Sequence, residues 1–191
     1  MTAPWERVPA GPAAGFAAAM AAVVPEIVTP RLRLRAPRVA DYPLYAGFAR
    51  DDRGAGLARG ETDETAWLDF CALVASWPLR GFGPWTLEPR AGGPALGAAV
   101  LNHEFGDPEP EVGWLVAPEA EGRGFASEGA RAALAHAFGP LGMASIVSYV
   151  GADNPRSARV AERLGGRRDG AAEAALGDDV LVFRHSPGDL A

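Results

Sequence analysis

The run from Glu111 to Phe138, EVGWLVAPEAEGRGFASEGARAALAHAF, limits the fold more than any other part of the chain. Glu111 to Val116 is a short β-rich run and Ala117 to Gly124 is a turn carrying two glycines. Phe125 to Phe138 has helical spacing, with Ala130, Ala133, Leu134, Ala137 and Phe138 on one apolar face. Gly139-Pro140 ends it. A strand that bends through Gly122 and Gly124 straight into a helix aims backbone N–H groups at one point. The helix dipole adds positive potential there, so the bend is expected to hold an anion. Ala144 to Val150 is a further β-run, and a strand–helix–strand unit favours parallel pairing.

The common anion-binding motifs do not fit this bend. A P-loop needs a lysine after its second glycine, and all 18 cationic residues of this chain are arginine. A dinucleotide fingerprint needs glycine or alanine where Ser127 stands, and an acid at a set distance that is missing here. A second stretch follows at Asn154-Pro155-Arg156-Ser157. Asn154 suits a helix N-cap and Pro155 the first helical position. Ser157, Val160, Ala161 and Leu164 share one face, Arg156, Arg159 and Arg163 another. Ser157 therefore points inward, either as a small packing residue bonded back to a carbonyl or as a functional hydroxyl.

With both stretches in view, Glu121-Gly122-Arg123-Gly124-Phe125-Ala126 resembles the acetyl-CoA diphosphate loop of GCN5-related N-acetyltransferases (GNAT), Q/R-x-x-G-x-G/A. It matches at Gly124 and Ala126 and departs at Glu121. The longer GRGFASEGARAALAHAF and TPRLRLRAPRVAD are similar to the ribosomal-protein (RimJ/RimL-like) branch. NPRSARVAERLGG resembles that branch's N-x-x-S-x-x-x-x-E-K-x-G-F, with Gly166 in place of the usual aromatic. The resemblance spans roughly residues 26 to 185 and is thin before Gly83. It implies a mixed α/β (α+β) domain over 26–191. Its mostly antiparallel sheet would have six to seven strands, one parallel pair splayed to hold acetyl-CoA, and about four flanking helices. Residues 1–25 form an Ala/Pro-rich extension, a tail or a short helix with Phe16, Met20, Val23 and Val24 on one side.

The implied reaction is acetyl transfer from acetyl-CoA directly to an amine, such as a protein N-terminus or a small molecule. The resemblance assigns cofactor contacts to Leu115, Val116, Glu121, Gly122, Arg123, Gly124, Phe125, Ala126, Asn154 and Ser157. Arg123 either reaches a phosphate oxygen or is merely solvated. Glu121 either points to solvent or weakens the cofactor's hold. Many family members have a tyrosine seven residues past the Asn to protonate the departing thiolate, but that position is Ala161, which makes Ser157 the candidate donor. Glu111 is the first candidate base, since a desolvated strand carboxylate has a raised pKa; otherwise it continues an exposed acidic run. His103 is the alternative base. The backbone N–H of Leu115 or Val116 would meet the oxyanion.

Composition narrows the partners. A net charge of −6 argues against a nucleic-acid surface and suits a cationic acceptor drawn by Asp51, Asp52, Asp107, Glu109 and Glu111. Cys71 is the single cysteine, and His103, His136 and His185 lack ligand spacing, so no metal is expected. No stretch approaches the ~20 apolar residues of a membrane span, and the N-terminus makes a poor signal peptide, so the expected location is cytoplasmic. The oligomeric state, a homodimer included, is open. A competing reading keeps the CoA-binding fold without turnover, as a sensor or scaffold. A nucleotide-binding domain has only the GRG run in its favour.

Elsewhere, Ile27 to Arg35 alternates as a half-buried strand with its arginines outward. Asp41 is expected to cap a helix whose stripe is Tyr42, Tyr45, Phe48 and Ala49. Asp51 to Gly60 reads as a loop. Thr62 to Ser76 reads as a helix with Trp67, Phe70, Cys71 and Val74 inward. Gly83–Arg90 and Ala95–Glu104 form a hairpin through Ala91-Gly92-Gly93-Pro94, and Val180–His185 is a last strand, with one more expected within Arg167–Ala175.

Overall fold

The computed structural model describes residues 3–50, 62–177 and 179–190. In chain order these form helix α1 (Pro12–Ala22), strands β1 (Ile27–Val28) and β2 (Leu32–Arg35), and helices α2 (Tyr42–Arg50) and α3 (Asp63–Arg80). Strands β3 (Pro84–Pro89), β4 (Gly97–Asn102) and β5 (Glu111–Val116) follow. Then come α4 (Phe125–Phe138), β6 (Ile146–Gly151), α5 (Pro155–Arg163), β7 (Arg167–Arg168), α6 (Gly170–Leu176) and β8 (Val180–His185). The strands make one mixed sheet in the order β1-β2-β3-β4-β5-β6-β8-β7, with β5 and β6 parallel. The mixed α/β class is as expected. Among the described residues the sheet reaches eight strands, because the two-residue β1 and β7 are added, and α1 and α6 bring the helices to six. The chain divides into two compact units, one ending at Gly97 and one starting at Ala98.

In the first unit Pro30 splits the expected Ile27–Arg35 strand. Thr29 turns the chain, its N–H donating to Leu32 O at 2.9 Å and its Oγ1 accepting from Leu32 N–H at 2.9 Å. β1 then pairs antiparallel with β2, and β2 with β3. Leu32 and Leu34 are buried as predicted, but Arg35 is buried too. Its guanidinium donates to both carboxylate oxygens of Asp41, at 2.7 and 2.9 Å. Asp41 does not cap α2. It ends a 3-10 turn (Val39–Asp41), and its carboxylate also accepts from Arg38 N–H at 2.8 Å and Thr86 Oγ1 at 3.1 Å. Arg35 needed a buried partner, and that demand outranked capping.

Tyr42, Tyr45 and Phe48 are buried on α2 as expected, while the Ala49 side chain and residues 51–61 lie outside the described residues. Thr62 caps α3, its Oγ1 accepting from Thr65 N–H at 3.2 Å. The helix runs past Pro78 to a left-handed Gly81. Its buried face is Ala66, Phe70, Leu73 and Ser76, so Cys71 is exposed and not part of the stripe. Phe70 meets the Tyr42 and Tyr45 rings at 5.7 and 5.0 Å, which sets the helix rotation. α1 buries none of its residues; Phe16 and Val23 are 71% and 73% exposed.

In the second unit α4 buries Phe125, Gly129, Ala130, Ala133, Leu134 and Ala137, close to the expected stripe, with Phe138 half-buried. β6 pairs antiparallel with β8 along its whole length, from Ile146 opposite His185 to Gly151 opposite Val180. Against β5, by contrast, β6 has a single register pair, Glu111 opposite Val147. The parallel strands meet at their beginnings and part beyond. No helix of the described residues is long and apolar enough to cross a membrane.

Candidate functional site

The bend between β5 and α4 is built from glycine conformations. Gly122 and Gly124 have φ of 72° and 81°, the left-handed region that other residues rarely adopt. Gly124 is the N-cap of α4 and, being glycine, supplies no side-chain cap to the first turn of the helix. Gly122, Arg123 and Gly124 are exposed, and nothing lies within 4 Å of where a side chain on Gly122 would begin. The bend is therefore open, and its donors suit an anionic group. Phe125 is buried beneath it and Ala126 half-buried. The Arg123 guanidinium lies over the Phe125 ring, 4.9 Å from its centroid.

Asn154 caps α5 as expected: its Oδ1 accepts from Ser157 N–H at 3.0 Å, and Pro155 opens the helix. Ala161 and Leu164 are fully buried, Ser157 and Val160 half-buried, and Arg156, Arg159 and Arg163 exposed. The Ser157 hydroxyl makes no hydrogen bond to any described residue, so the back-bonded packing role is not realised. Helix α5 is tied once to the bend and once to α4. Arg156 forms an ion pair with Glu121, and Arg131 of α4 donates to the Arg163 carbonyl at 2.9 Å. Glu121 thus neither faces solvent alone nor stands as a bare negative charge at the bend.

Glu111 opens β5, half-buried. Burial pushes its carboxyl up to about 8, and the charges of Asp107 and Glu104 add to this, with the Tyr149 backbone N–H opposing. Glu109 does not share that fate. Arg184 grips it with two 2.7 Å hydrogen bonds and holds its carboxyl below the ordinary range. Glu109 is thereby neutralised as an attractor of cations, and Asp51 and Asp52 lie outside the described residues. His103 Nε2 donates to the Asp107 carbonyl at 3.1 Å, which engages the ring in its own loop. No hydrogen bond or ion pair among the described residues joins Glu111 to Ser157; they stand on β5 and α5 separately. Leu115 and Val116 are half-buried at the far end of β5.

Three residues near this region were not singled out from sequence. The Ser148 Oγ donates to Val112 O at 2.9 Å, so a side chain makes the link between β6 and β5 where the strands begin to part. Behind it the His185 Nε2 lies 3.0 Å from the same hydroxyl, and since Ser148 spends its proton on Val112, His185 must donate. Burial lowers the His185 pKa to about 4, which keeps the ring neutral. Its Nδ1 has no partner among the described residues. A side chain at Gly166 would start 2.6 Å from His185 Cε1, so the histidine occupies the space an aromatic there would use. Trp114 packs on the Val150, Ala161 and Phe183 cluster, where the small Ala161 leaves room for an indole. A serine and a histidine inside apolar strands were the available signal.

Residues 31–167 match the acetyltransferase (GNAT) domain family. The N-acetyltransferase YnaD of Bacillus subtilis (strain 168), itself uncharacterized, is 33% identical over 75 residues, 39% of this chain. The chain thus spans less than half, 44%, of that curated relative's length. The crystal structure of an acetyltransferase from Agrobacterium tumefaciens str. C58 is 37% identical and covers 85% of this chain and 94% of its own, with a TM-score of 0.77. Mycobacterium smegmatis RimJ, solved with a CoA disulfide, covers 83% of each chain at a TM-score of 0.63, but at 18% identity the likeness is of fold alone. A family match over most of the chain and a sheet whose parallel strands part beside a glycine bend agree, and the chain belongs to the acetyltransferase (GNAT) domain family.

Proposed function

We propose that this protein is an acetyl-CoA-dependent N-acetyltransferase acting directly on an amine. The observation that carries the reading is the open glycine bend leading into α4 beside strands that share one register pair. The amides of Gly122 to Ala126 would hold the diphosphate, and the free edge of β5 at Leu115 and Val116 would pair with the pantetheine amides as an added strand does. Asn154 and Ser157 would lie along the pantetheine arm. Acetyl-CoA, when bound, supplies an acyl thioester.

The chain's own groups then have three tasks. Glu111 in its ionised form takes the proton of the incoming ammonium, freeing the nitrogen lone pair to form the new C–N bond. A strand N–H, of Leu115 or Val116, donates to the oxygen that becomes negative. As the C–S bond breaks, Ser157 passes a proton to the sulfur, directly or through water, and the second proton shed by the new amide nitrogen restores the hydroxyl. The acceptor is a protein N-terminus or a small-molecule amine, in keeping with a relationship to the ribosomal-protein (RimJ/RimL-like) branch. The working location is the cytoplasm.

Calorimetric titration with acetyl-CoA, followed by thiol release across a panel of amines, tests the reading. Binding with release supports it, and absence of binding at millimolar acetyl-CoA ends it. A second reading, a CoA-binding module without turnover, draws on the buried alanine, Ala161, where a tyrosine donor stands in many relatives. Binding without thiol release from any amine selects that one.

A further inference from the structure

Among residues 121–126, Glu121 is the one whose charge opposes the ligand, and its pairing turns that opposition into a positioning device. A carboxylate beside a diphosphate is repulsive at short range. Yet Glu121 holds Arg156, the second residue of α5, in an ion pair. As a stability device such a pair has little value, since exposed pairs contribute about 0–1 kcal/mol. The Arg156 side chain remains 55% exposed against 28% for Glu121. A guanidinium carries several N–H donors in a rigid fork, more than one carboxylate oxygen can use. Of the cations at the bend, Arg123 is stacked on Phe125, whereas Arg156 sits against the residue that precedes Gly122. Arg131 on the Arg163 carbonyl ties the other end of α5 to α4.

We infer that Arg156, aimed by Glu121, is the cation that grips the diphosphate of CoA, supplying the positive charge that position 121 does not. This rests on the acetyl-CoA reading above. On binding, the guanidinium keeps Glu121 with one edge and turns its remaining donors to the phosphate oxygens, so the acid strengthens the site instead of repelling the ligand.

The test is calorimetric titration of CoA, dephospho-CoA and pantetheine into the wild-type chain and into R156Q, R156K, E121Q and the double variant, with melting curves to confirm folding. R156Q is expected to weaken CoA about tenfold, as loss of a charge-assisted hydrogen bond does, and R156K to weaken it less. E121Q is expected to weaken binding about threefold, the scale of an exposed pair, and the double variant to match R156Q. Dephospho-CoA should show the same losses, and pantetheine, without phosphate, none. The affinity of R156Q should also fall less steeply with salt. Tighter binding by E121Q would make Glu121 a plain repulsive charge and overturn the inference. So would unchanged CoA affinity in R156Q, leaving the acetyltransferase reading intact. A loss that disappears with dephospho-CoA would place Arg156 on the ribose phosphate and refute the diphosphate assignment. If the wild-type chain binds no CoA, both fall together.

Discussion

Asp41 and Glu111 are both carboxylates withdrawn from water, one in each unit of the chain, and their surroundings drive them in opposite directions. Burial alone would raise Asp41, but hydrogen bonds from Arg35, from Arg38 N–H and from Thr86 outweigh it and hold the group below the ordinary carboxylate range. Around Glu111 burial acts with the charges of Asp107 and Glu104, and only the Tyr149 backbone N–H opposes. Equal chemistry thus gives a permanent anion in one place and, in the other, a carboxyl that keeps its proton to higher pH. The saturated site holds structure together; the unsaturated one retains a proton it can exchange near neutral pH.

The largest effect expected from this contrast is on the structural side. Removing Arg35 in R35A strands Asp41 as an unpaired buried charge, and breaking a buried pair in this way costs about 3–5 kcal/mol. Denaturant unfolding should show that loss at neutral pH. A cost under about 1 kcal/mol, the range of an exposed pair, would mean that Asp41 is not anchored by Arg35 and would dissolve the comparison.

A second test separates Asp41 from the other buried groups by pH. Its depressed pKa keeps the Arg35 pair intact until the solution is more acidic than the ordinary carboxylate value. His185 acts earlier. Its folded pKa of about 4 lies below the 6.5 of an exposed imidazole, so the unfolded chain binds the proton first. Stability is full above 6.5 and declines as pH falls toward 4, by up to about 3 kcal/mol. In E111Q, which removes the opposing gain that protonation of Glu111 brings over the same range, denaturation midpoints at pH 7, 5.5 and 4.5 should fall in that order. A flat profile over this window would show that His185 is not held neutral.

Much of this was legible in the sequence because glycine and helical spacing are local signals. The Gly122–Gly124 bend, the α4 stripe, the Asn154 cap and Glu111 as a desolvated acid all follow from residues within a turn or two of each other. What escaped depends on partners far along the chain. Arg35 read as outward-facing because alternation cannot reveal that Asp41, itself held by Thr86 45 residues on, awaits it. Glu121 read as a defect because Arg156 lies 35 residues on. Cys71 was placed inward because the rotation of α3 is set by Tyr42 and Tyr45, on another helix.

On the functional side, E111Q should lower turnover roughly a hundredfold, the scale of a lost general base. Wild-type turnover should rise with pH through about 8 as Glu111 ionises. The same substitution should act oppositely on stability. A carboxyl whose folded pKa is raised favours the folded state below the ordinary 4.5, and that advantage is lost as pH climbs through about 8. Hence E111Q should melt higher than wild type at pH 9 and equally at pH 4. Unchanged turnover with a rate still rising through pH 8 would shift the base role to water or another group and leave Glu111 merely buried.

The smallest effect concerns a side-chain link between β5 and β6 where they part. Ser148 Oγ donates to Val112 O at 2.9 Å and receives the His185 Nε2 proton at 3.0 Å, one residue from Glu111. S148A removes two buried hydrogen bonds and leaves the Val112 carbonyl and a histidine N–H short of a partner, a loss of about 1–3 kcal/mol. A purely structural link would end its effect there. If the hydroxyl also sets where the strands separate, S148A should raise the acetyl-CoA KM with kcat nearly unchanged, because the free edge of β5 is then displaced from the pantetheine. S148T, which restores the hydroxyl, should recover most of it. Loss of stability without a change in KM would confine Ser148 to the role Asp41 plays in the other unit, a polar group whose bonds are all turned inward.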